Sequence, residues 1–334
     1  MLRKSQRDST NTRRPPQPQR FPFRLKRRPE ERIILLGQEM DLVKPQEVLH
    51  FISTCVERGQ QAVVANHNAH SLHLLKARPE LQAFYEQADL VEIDSTPLLI
   101  WAQISGRRKS RRFHRCTYLD WRDDFWTMAA SGSWRVFYLG AAPGVAQKAA
   151  DRLLSEFPKV RLQVRDGYFD ASRGSRENQA VLSDILHFRP DVLLVGMGMP
   201  RQEEWIAANR AALPDCVILP VGAAFDYEAG VQAAAPRWLG RVGMEWLYRL
   251  ARDPRRLFRR YCIEPWTLLT LLAADLRAAR QEKSETRHQE RRSQSGPSVA
   301  SPKRRASDRR GSISASAYPA VLLDRPVSDE GPRP

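Results

Sequence analysis

Cysteine is scarce and scattered. Cys55, Cys116, Cys216 and Cys262 are the only four in 334 residues, with no C-x-x-C pair and no histidine cluster beside them. That pattern tells against a disulfide framework and a structural zinc site, and it fits a reducing cytosol. Long hydrophobic runs are missing too. The most suggestive stretch, residues 266–276, contains Asp275 and is about half the roughly 20 apolar residues that a membrane span requires. No apolar stretch follows Arg3 and Lys4, so no secretory signal is read. Acidic charge is in short supply, 38 Asp plus Glu against 54 Lys plus Arg, net +16. The imbalance sits at the ends: residues 1–32 are net +8 and 280–334 net +5, leaving only +3 for 33–279. Such a core gives little support to a folded nucleic-acid surface, and no helix-turn-helix or RNP motif is present. The expectation is a cytosolic protein, soluble or peripheral to a membrane.

Composition divides the chain. Residues 1–32, rich in Pro, Gln and Arg, read as a disordered basic tail, and 281–334 repeat that character with serine added. No internal repeat is found. Between the tails, β-rich runs at 33–36, 62–65, 90–93, 136–139, 162–164, 192–195 and 217–221 alternate with helical periodicity at 45–58, 74–87, 97–104, 144–156, 176–188 and 201–212. Apolar strands alternating with helices predict an α/β core over 33–235, a Rossmann-like, mainly parallel sheet buried on both faces. From 236 to 280 the character changes. Eight arginines (Arg237, Arg241, Arg249, Arg252, Arg255, Arg256, Arg259, Arg260) stand among Trp238, Trp246, Leu247, Leu250, Leu257, Phe258 and Tyr261, and Pro254 and Pro265 cut the segment into short helices. Arginine interleaved with aromatics suits the headgroup level of a bilayer, although an apolar stripe packed on the core is an equally open reading.

Four strand ends could carry chemistry. Residues 136–144 (VFYLGAAPG) bring Gly140 to the start of a helix, and 191–205 (DVLLVGMGMPRQEEW) bring Gly196 and Gly198 to another. Glycine there lets backbone N–H groups approach phosphate. Neither is a G-x-G-x-x-G, so a NAD site is a poor match. Residues 88–99 (ADLVEIDSTPLL) deliver Asp94, a helix cap or a catalytic carboxylate. Residues 63–72 (VVANHNAHSL) end in Asn66, His67, Asn68 and His70, able to bind a sugar or a phosphate but lacking a third ligand for zinc. The acid pair Asp123-Asp124, inside WRDDFW, reads as a solvated helix face, and no divalent metal or other cofactor is expected.

In this order the pieces resemble the WecG/TagA/CpsF family of bacterial glycosyltransferases (glycosyltransferase family 26). The resemblance rests on Asn68-Ala69-His70-Ser71, residues 88–94, Arg115 to Trp121, 139–144, Gly167-Tyr168-Phe169, 190–205, 221–226, Ala235-Pro236-Arg237-Trp238 and 245–261, and it spans about 33–265. It implies inverting transfer of a mannose-type or N-acetylmannosamine-type sugar from a nucleoside diphosphate donor, with UDP-sugar favoured, to a polyprenyl-diphosphate-linked acceptor. The setting it implies is capsule, exopolysaccharide or related cell-surface polysaccharide assembly at the inner face of the plasma membrane.

By the same resemblance Asp94 matches the catalytic base, Arg115 and Gln202 match donor- or acceptor-site positions, and Arg249, Arg256 and Arg259 keep the spacing of arginines that meet the lipid diphosphate. Backbone N–H groups at Gly140, Gly196 and Gly198 suit the leaving diphosphate, and Asn66, Asn68, Glu203 and Asp226 complete the donor- and acceptor-binding set expected. Ser95 stands where the family has glycine, Ala234 where it has arginine, and a threonine near Asn66 is missing, which leaves Asn66 or Asn68 to take that role. A homo-oligomer is compatible with the sequence. Without a membrane the appendage is expected to sit loosely or off the core. Two other classes stay open: a basic nucleic-acid-binding protein, and a non-catalytic scaffold on anionic lipid.

Overall fold

The computed structural model describes residues 32–106, 110–236, 239 and 243–294. The basic tails, apart from Arg32 and the stretch up to Gln294, therefore lie outside the described residues, as do Arg237, Trp238 and Arg241. Residues up to Glu285 belong to one compact unit, and a second begins at Thr286.

The first unit opens with a hairpin, β1 (Arg32–Leu35) and β2 (Gln38–Asp41), paired antiparallel. Leu36, read from sequence as strand, is instead the first turn residue: Leu36 and Gly37 both have positive φ, 53° and 80°, as a two-residue hairpin turn demands. Then follow α1 (Pro45–Glu57), β3 (Ala62–His67), α2 (Ala69–Ala77), α3 (Gln82–Gln87), β4 (Leu90–Ile93), α4 (Thr96–Ile104), α5 (Tyr118–Ser131), β5 (Arg135–Gly140), α6 (Val145–Glu156), β6 (Arg161–Arg165), α7 (Arg176–Phe188), β7 (Val192–Gly196), α8 (Arg201–Asn209), β8 (Val217–Pro220) and α9 (Ala224–Glu228). The helix predicted over 74–87 is broken in two around a 3₁₀ turn, Pro79–Leu81, because proline lacks the N–H that would continue α2.

Six strands form one sheet in the order β4-β3-β8-β7-β5-β6, every neighbouring pair parallel. Strand alternation splits the core into two layers. Val64, Tyr138, Leu194 and Leu219 face α1, α5 and α6, whereas Val63, Ala65, Ile93, Leu139 and Ile218 face α2, α3, α4, α7 and α8. Helix α5 shows how the sequence selects its face. Tyr118, Trp121, Phe125 and Trp126 recur at helical spacing and are buried in edge-to-face contacts, each contributing about 1.5–3 kcal/mol by burial, while Asp123 and Asp124 point to solvent.

Strand β4 is an edge, and it is closed by other means. Asp41, with no exposed surface, accepts the Val91 N–H (2.9 Å) and the Arg32 Nε–H (3.3 Å). Further along, the Cys116 N–H donates to the Ile93 carbonyl (3.1 Å).

The C-terminal segment contains α10 (Glu245–Arg252), α11 (Pro254–Phe258), a π-helical turn (Arg259–Ile263), α12 (Glu264–Thr267) and α13 (Leu269–Gln294). Contrary to the loose placement expected, this appendage is seated on the α/β core. Leu257 and Leu268 are buried, His70 Nδ1 meets Glu264 Oε2 at 2.6 Å, His73 meets Thr267 at 2.8 Å, and the Trp101 indole donates to Asp275 at 2.8 Å. Helix α13 also continues past residue 280, where composition alone starts the tail.

Candidate active site

A cavity of about 210 Å³ opens beyond the carboxyl ends of β3, β4 and β8, where open α/β sheets place their ligands. Its floor comes from the strand ends and its wall from the appendage, through Arg249, Arg256, Arg260 and Tyr261. Asp94, one residue beyond β4, lies in this floor and is anchored by its N–H to the His67 carbonyl (2.9 Å). Burial pushes its carboxyl up to about 7; Arg249 and Arg115 pull it down, and Glu245 and Asp120 oppose them. The helix-cap alternative falls to Ser95, whose hydroxyl accepts the Leu98 N–H at the start of α4.

Arg115 lies directly behind. Its guanidinium donates to Glu245 Oε2 (3.0 Å) and to Asp120 Oδ1 (3.3 Å), and Thr117 Oγ1 donates to Asp120 Oδ2 (2.8 Å). The other oxygen of Glu245 takes Arg249, which stands over the Tyr227 ring at 5.7 Å. Burial works against the charges of Arg115 and Arg249, but the surrounding acids and, for Arg249, Tyr227 and Tyr261 outweigh it and hold both firmly protonated. Glu245 is thus a carboxylate bridge between a core arginine and an appendage arginine. It went unassigned in sequence, although Glu245 and Arg249 stand four apart on a helix, a spacing that pairs opposite charges.

Among the other expected residues, Asn66 lines the cavity and is held by donating to the Pro220 carbonyl (3.0 Å). Asn68 also lines it, but its oxygen caps α2, accepting the N–H groups of His70 and Ser71 at 3.0 Å each. Gln202 is buried and its amide is in use. Its Oε1 accepts the N–H groups of Gly198 (3.1 Å) and Gly222 (3.2 Å), and its Nε2 donates to Glu203 (2.8 Å). It therefore ties the loops after β7 and β8 together. Glu203 sits behind it, pushed by burial to about 7.

Gly140 and Gly196 line neither of the two cavities described here. A Cβ on Gly140 would collide with the Gly196 carbonyl, and one on Gly196 with the Tyr138 hydroxyl, so close packing by itself requires glycine at both positions. Gly198 does line the cavity, with φ +80°, although its N–H is occupied by Gln202. Asp226 faces an adjoining space of about 570 Å³ with Tyr248, Arg252 and Asp253, and Arg249 and Arg256 border both spaces. The arginine trio is adjusted by one residue: Arg249 and Arg256 line the cavity together with Arg260, while Arg259 is exposed and lines neither space. The intervening π-helical turn alters the facing that a plain three-residue spacing predicts.

His67 is stacked on Tyr85 (4.0 Å) and burial holds its imidazole neutral, down to about 3; His70 is engaged with Glu264. Neither lines the cavity. Asp123 pairs with Arg122 on the outer face of α5 (2.6 Å). Among the described residues no group of three His, Cys, Asp or Glu is placed to hold a metal ion, and no helix is long and apolar enough to cross a membrane.

Two relatives, the N-acetylglucosaminyldiphosphoundecaprenol N-acetyl-beta-D-mannosaminyltransferases of Staphylococcus aureus strains MW2 and NCTC 8325, are each 28% identical over 238 residues, covering 68% of this chain and 87% of the relative. Residues 33–282, which include every side chain placed in the cavity, match the family described as Glycosyl transferase WecG/TagA/CpsF family. With the strand-end carboxylate, the arginine wall and the parallel sheet already in place, the chain belongs to the WecG/TagA/CpsF family of glycosyltransferases.

Proposed function

We propose that this glycosyltransferase moves a mannose-type sugar, N-acetylmannosamine foremost, from a nucleoside diphosphate donor to a polyprenyl-diphosphate-linked acceptor, with inversion at the anomeric carbon. The observation that carries the reading is Asp94 in the cavity floor opposite Arg249, Arg256 and Arg260. An inverting transfer is a single displacement. The acceptor oxygen forms its bond to the anomeric carbon, its proton passes to Asp94, and the bond to the donor diphosphate breaks with its electron pair leaving on phosphate oxygen. A base with its carboxyl near 7 is ionised yet still basic at neutral pH, which is where general-base efficiency peaks. Fixed guanidiniums stabilise the charge on diphosphate, and their planar forks match phosphate oxygens.

The printed names of the relatives, which specify a diphosphoundecaprenol acceptor and mannosaminyl transfer, support the substrate classes. A peripheral place at a membrane surface, which we assign to the cytoplasmic face, is supported as to the surface by the exposed side of the appendage. Trp246, Phe258 and Trp266 are 37%, 55% and 70% exposed there, beside exposed Arg255 and Arg259. Such a surface anchors at the headgroup level while the arginines of the inner wall receive the acceptor diphosphate.

The test is a transfer assay with UDP-N-acetylmannosamine and a short polyprenyl-diphosphate-N-acetylglucosamine, reading UDP release and the anomeric configuration of the product by NMR. Release of UDP with a β-linked disaccharide lipid is expected from an α-linked donor. A product retaining the donor configuration would remove the single-displacement role of Asp94, and no transfer from any nucleoside diphosphate sugar would remove the donor class.

A further inference from the structure

Asp94 does not occupy the cavity floor alone. Glu92 lies two residues earlier on β4, and residues i and i+2 of a strand share a face. Both carboxyl side chains belong to the cavity lining, and Glu92 is only 4% exposed. Around it stand Asp94 from its own strand, Asn66 and Val64 from β3, Cys116 from the segment before α5, and Asp120 and Trp121 from α5. Glu92 Oε1 and the Trp121 indole nitrogen are both buried with no other partner among the described residues, and the indole N–H is the neighbour that favours the charged carboxyl. The nearby guanidinium of Arg115 is directed to Asp120 and Glu245.

A carboxylate in this position is buried, has no cation bonded to it among the described residues, and faces two other carboxyls. Each circumstance disfavours the charged form. Burial, reinforced by Asp94 and Asp120 and only partly opposed by the Trp121 indole, pushes Glu92 up to about 8. Asp94 is differently placed: Arg249 and Arg115 offset the like charges of Glu245 and Asp120, so it ionises first.

We propose that Glu92 is a positioning residue that stays protonated beneath the ionised Asp94, so that the cavity floor carries one negative charge while the enzyme works, and that its ionisation at alkaline pH weakens binding of the donor diphosphate. The donor part of this rests on the function proposed above. Two neighbouring carboxyls on one strand titrate as a pair, the second proton being held more tightly because the first charge is already present. While Glu92 is neutral, Asp94 accepts the acceptor proton without an added repulsion against the incoming diphosphate. Once Glu92 ionises, a second negative charge faces an anionic ligand in a partly desolvated cavity, weakening binding on the order of tenfold.

The experiment uses the full chain and has two arms. In the first, UDP binding is measured by calorimetry from pH 6 to 9.5 for wild type and E92Q. Wild-type affinity is expected to fall about tenfold between pH 7 and 9, and that fall is expected to be largely absent in E92Q; an equal fall in both overturns the proposal. In the second, ¹³C-carboxyl NMR of glutamate-labelled protein needs no ligand. One glutamate is expected to titrate near 8, to persist in E203Q, which removes the other raised glutamate, and to vanish in E92Q. If E92Q does not fold, the E203Q spectrum decides: no glutamate titrating above 7 overturns the proposal. If UDP fails to bind at every pH, the donor reading falls, and the carboxyl titration still decides the state of Glu92.

Discussion

Replacing Glu245 with glutamine tests whether the appendage tunes the base. Glu245 joins Arg115 at 3.0 Å to Arg249 on its other oxygen, and its like charge is one of the influences that raise Asp94. The amide keeps the shape and an acceptor oxygen but loses the charge. Arg115 and Arg249 then act on Asp94 with less opposition, so its carboxyl moves down from about 7. For one neighbouring charge in a partly screened site we expect about one pKa unit, about 1.4 kcal/mol. The acid limb of kcat/KM against pH should therefore move from near 7 to near 6, and at pH 6 the ionised share of the base should rise about fivefold. The same change removes a countercharge from two guanidiniums. Since Glu245 is 22% and Arg115 13% exposed, the stability loss is discounted from the fully buried case to about 1–3 kcal/mol, read by urea unfolding. An acid limb that stays at 7 or rises would refute this account of how Asp94 is set.

Asp94→Asn should lower kcat by about 10²–10⁴ with UDP affinity retained; a loss of less than twofold would remove Asp94 as the base. Because the folded state holds the Asp94 proton up to about 7, the native protein binds more protons than the unfolded chain between about 4 and 7, and wild-type stability falls as pH rises through that window. Asp94→Asn should therefore be more stable than wild type at pH 8, by about 1–3 kcal/mol given that the side chain is partly exposed, with the gap closing near pH 4. Gln202→Leu frees the N–H groups of Gly198 and Gly222 and should cost about 1–3 kcal/mol in stability while raising donor KM; unchanged KM would show that the two loops hold their places without it. Arg256→Ala and Arg260→Ala should reduce turnover of a lipid-linked acceptor far more than UDP binding, with the defect growing as salt is added. Equal loss of UDP affinity would put both in the donor pocket.

Much of the fold was legible because period and burial agreed. Apolar strands such as 192–195 needed burial on both faces, and only a parallel sheet between helices supplies it. The β2 strand was illegible because QEMD is largely polar; its register comes from pairing with β1, and Asp41 ties it to β4, a contact fifty positions away. The strand-end position of Asp94 left a helix cap and a catalytic carboxylate both open, and only the family resemblance singled it out. Glu92 could not be found, since a lone acid inside a strand signals nothing until its surroundings are known. The glycines were ambiguous for a physical reason: a glycine at a strand end can serve a phosphate or close packing, and here Gly140 is packed against Gly196, and Gly196 against Tyr138 and Gly222. Arg259 and Arg260 are adjacent, so choosing between them requires the pitch of the turn that holds them.

The hydrogen bond from Val91 to Asp41 has a bearing on the life of the protein outside catalysis. The strand that leads to Asp94 is the last in its sheet, and an outermost strand with open N–H and C=O groups is a template on which another chain can build. Here a carboxylate occupies one such donor and the Cys116 amide one such acceptor, so the edge is sealed by a side chain and a loop, neither of which can be extended by a further strand. That seal also fixes the height at which β4 stops, and with it the point where Asp94 leaves the sheet. Protection from runaway strand pairing and placement of Asp94, the proposed base, thus depend on the same few atoms, so a lesion at Asp41 is expected to be felt as turbidity and as lost turnover together.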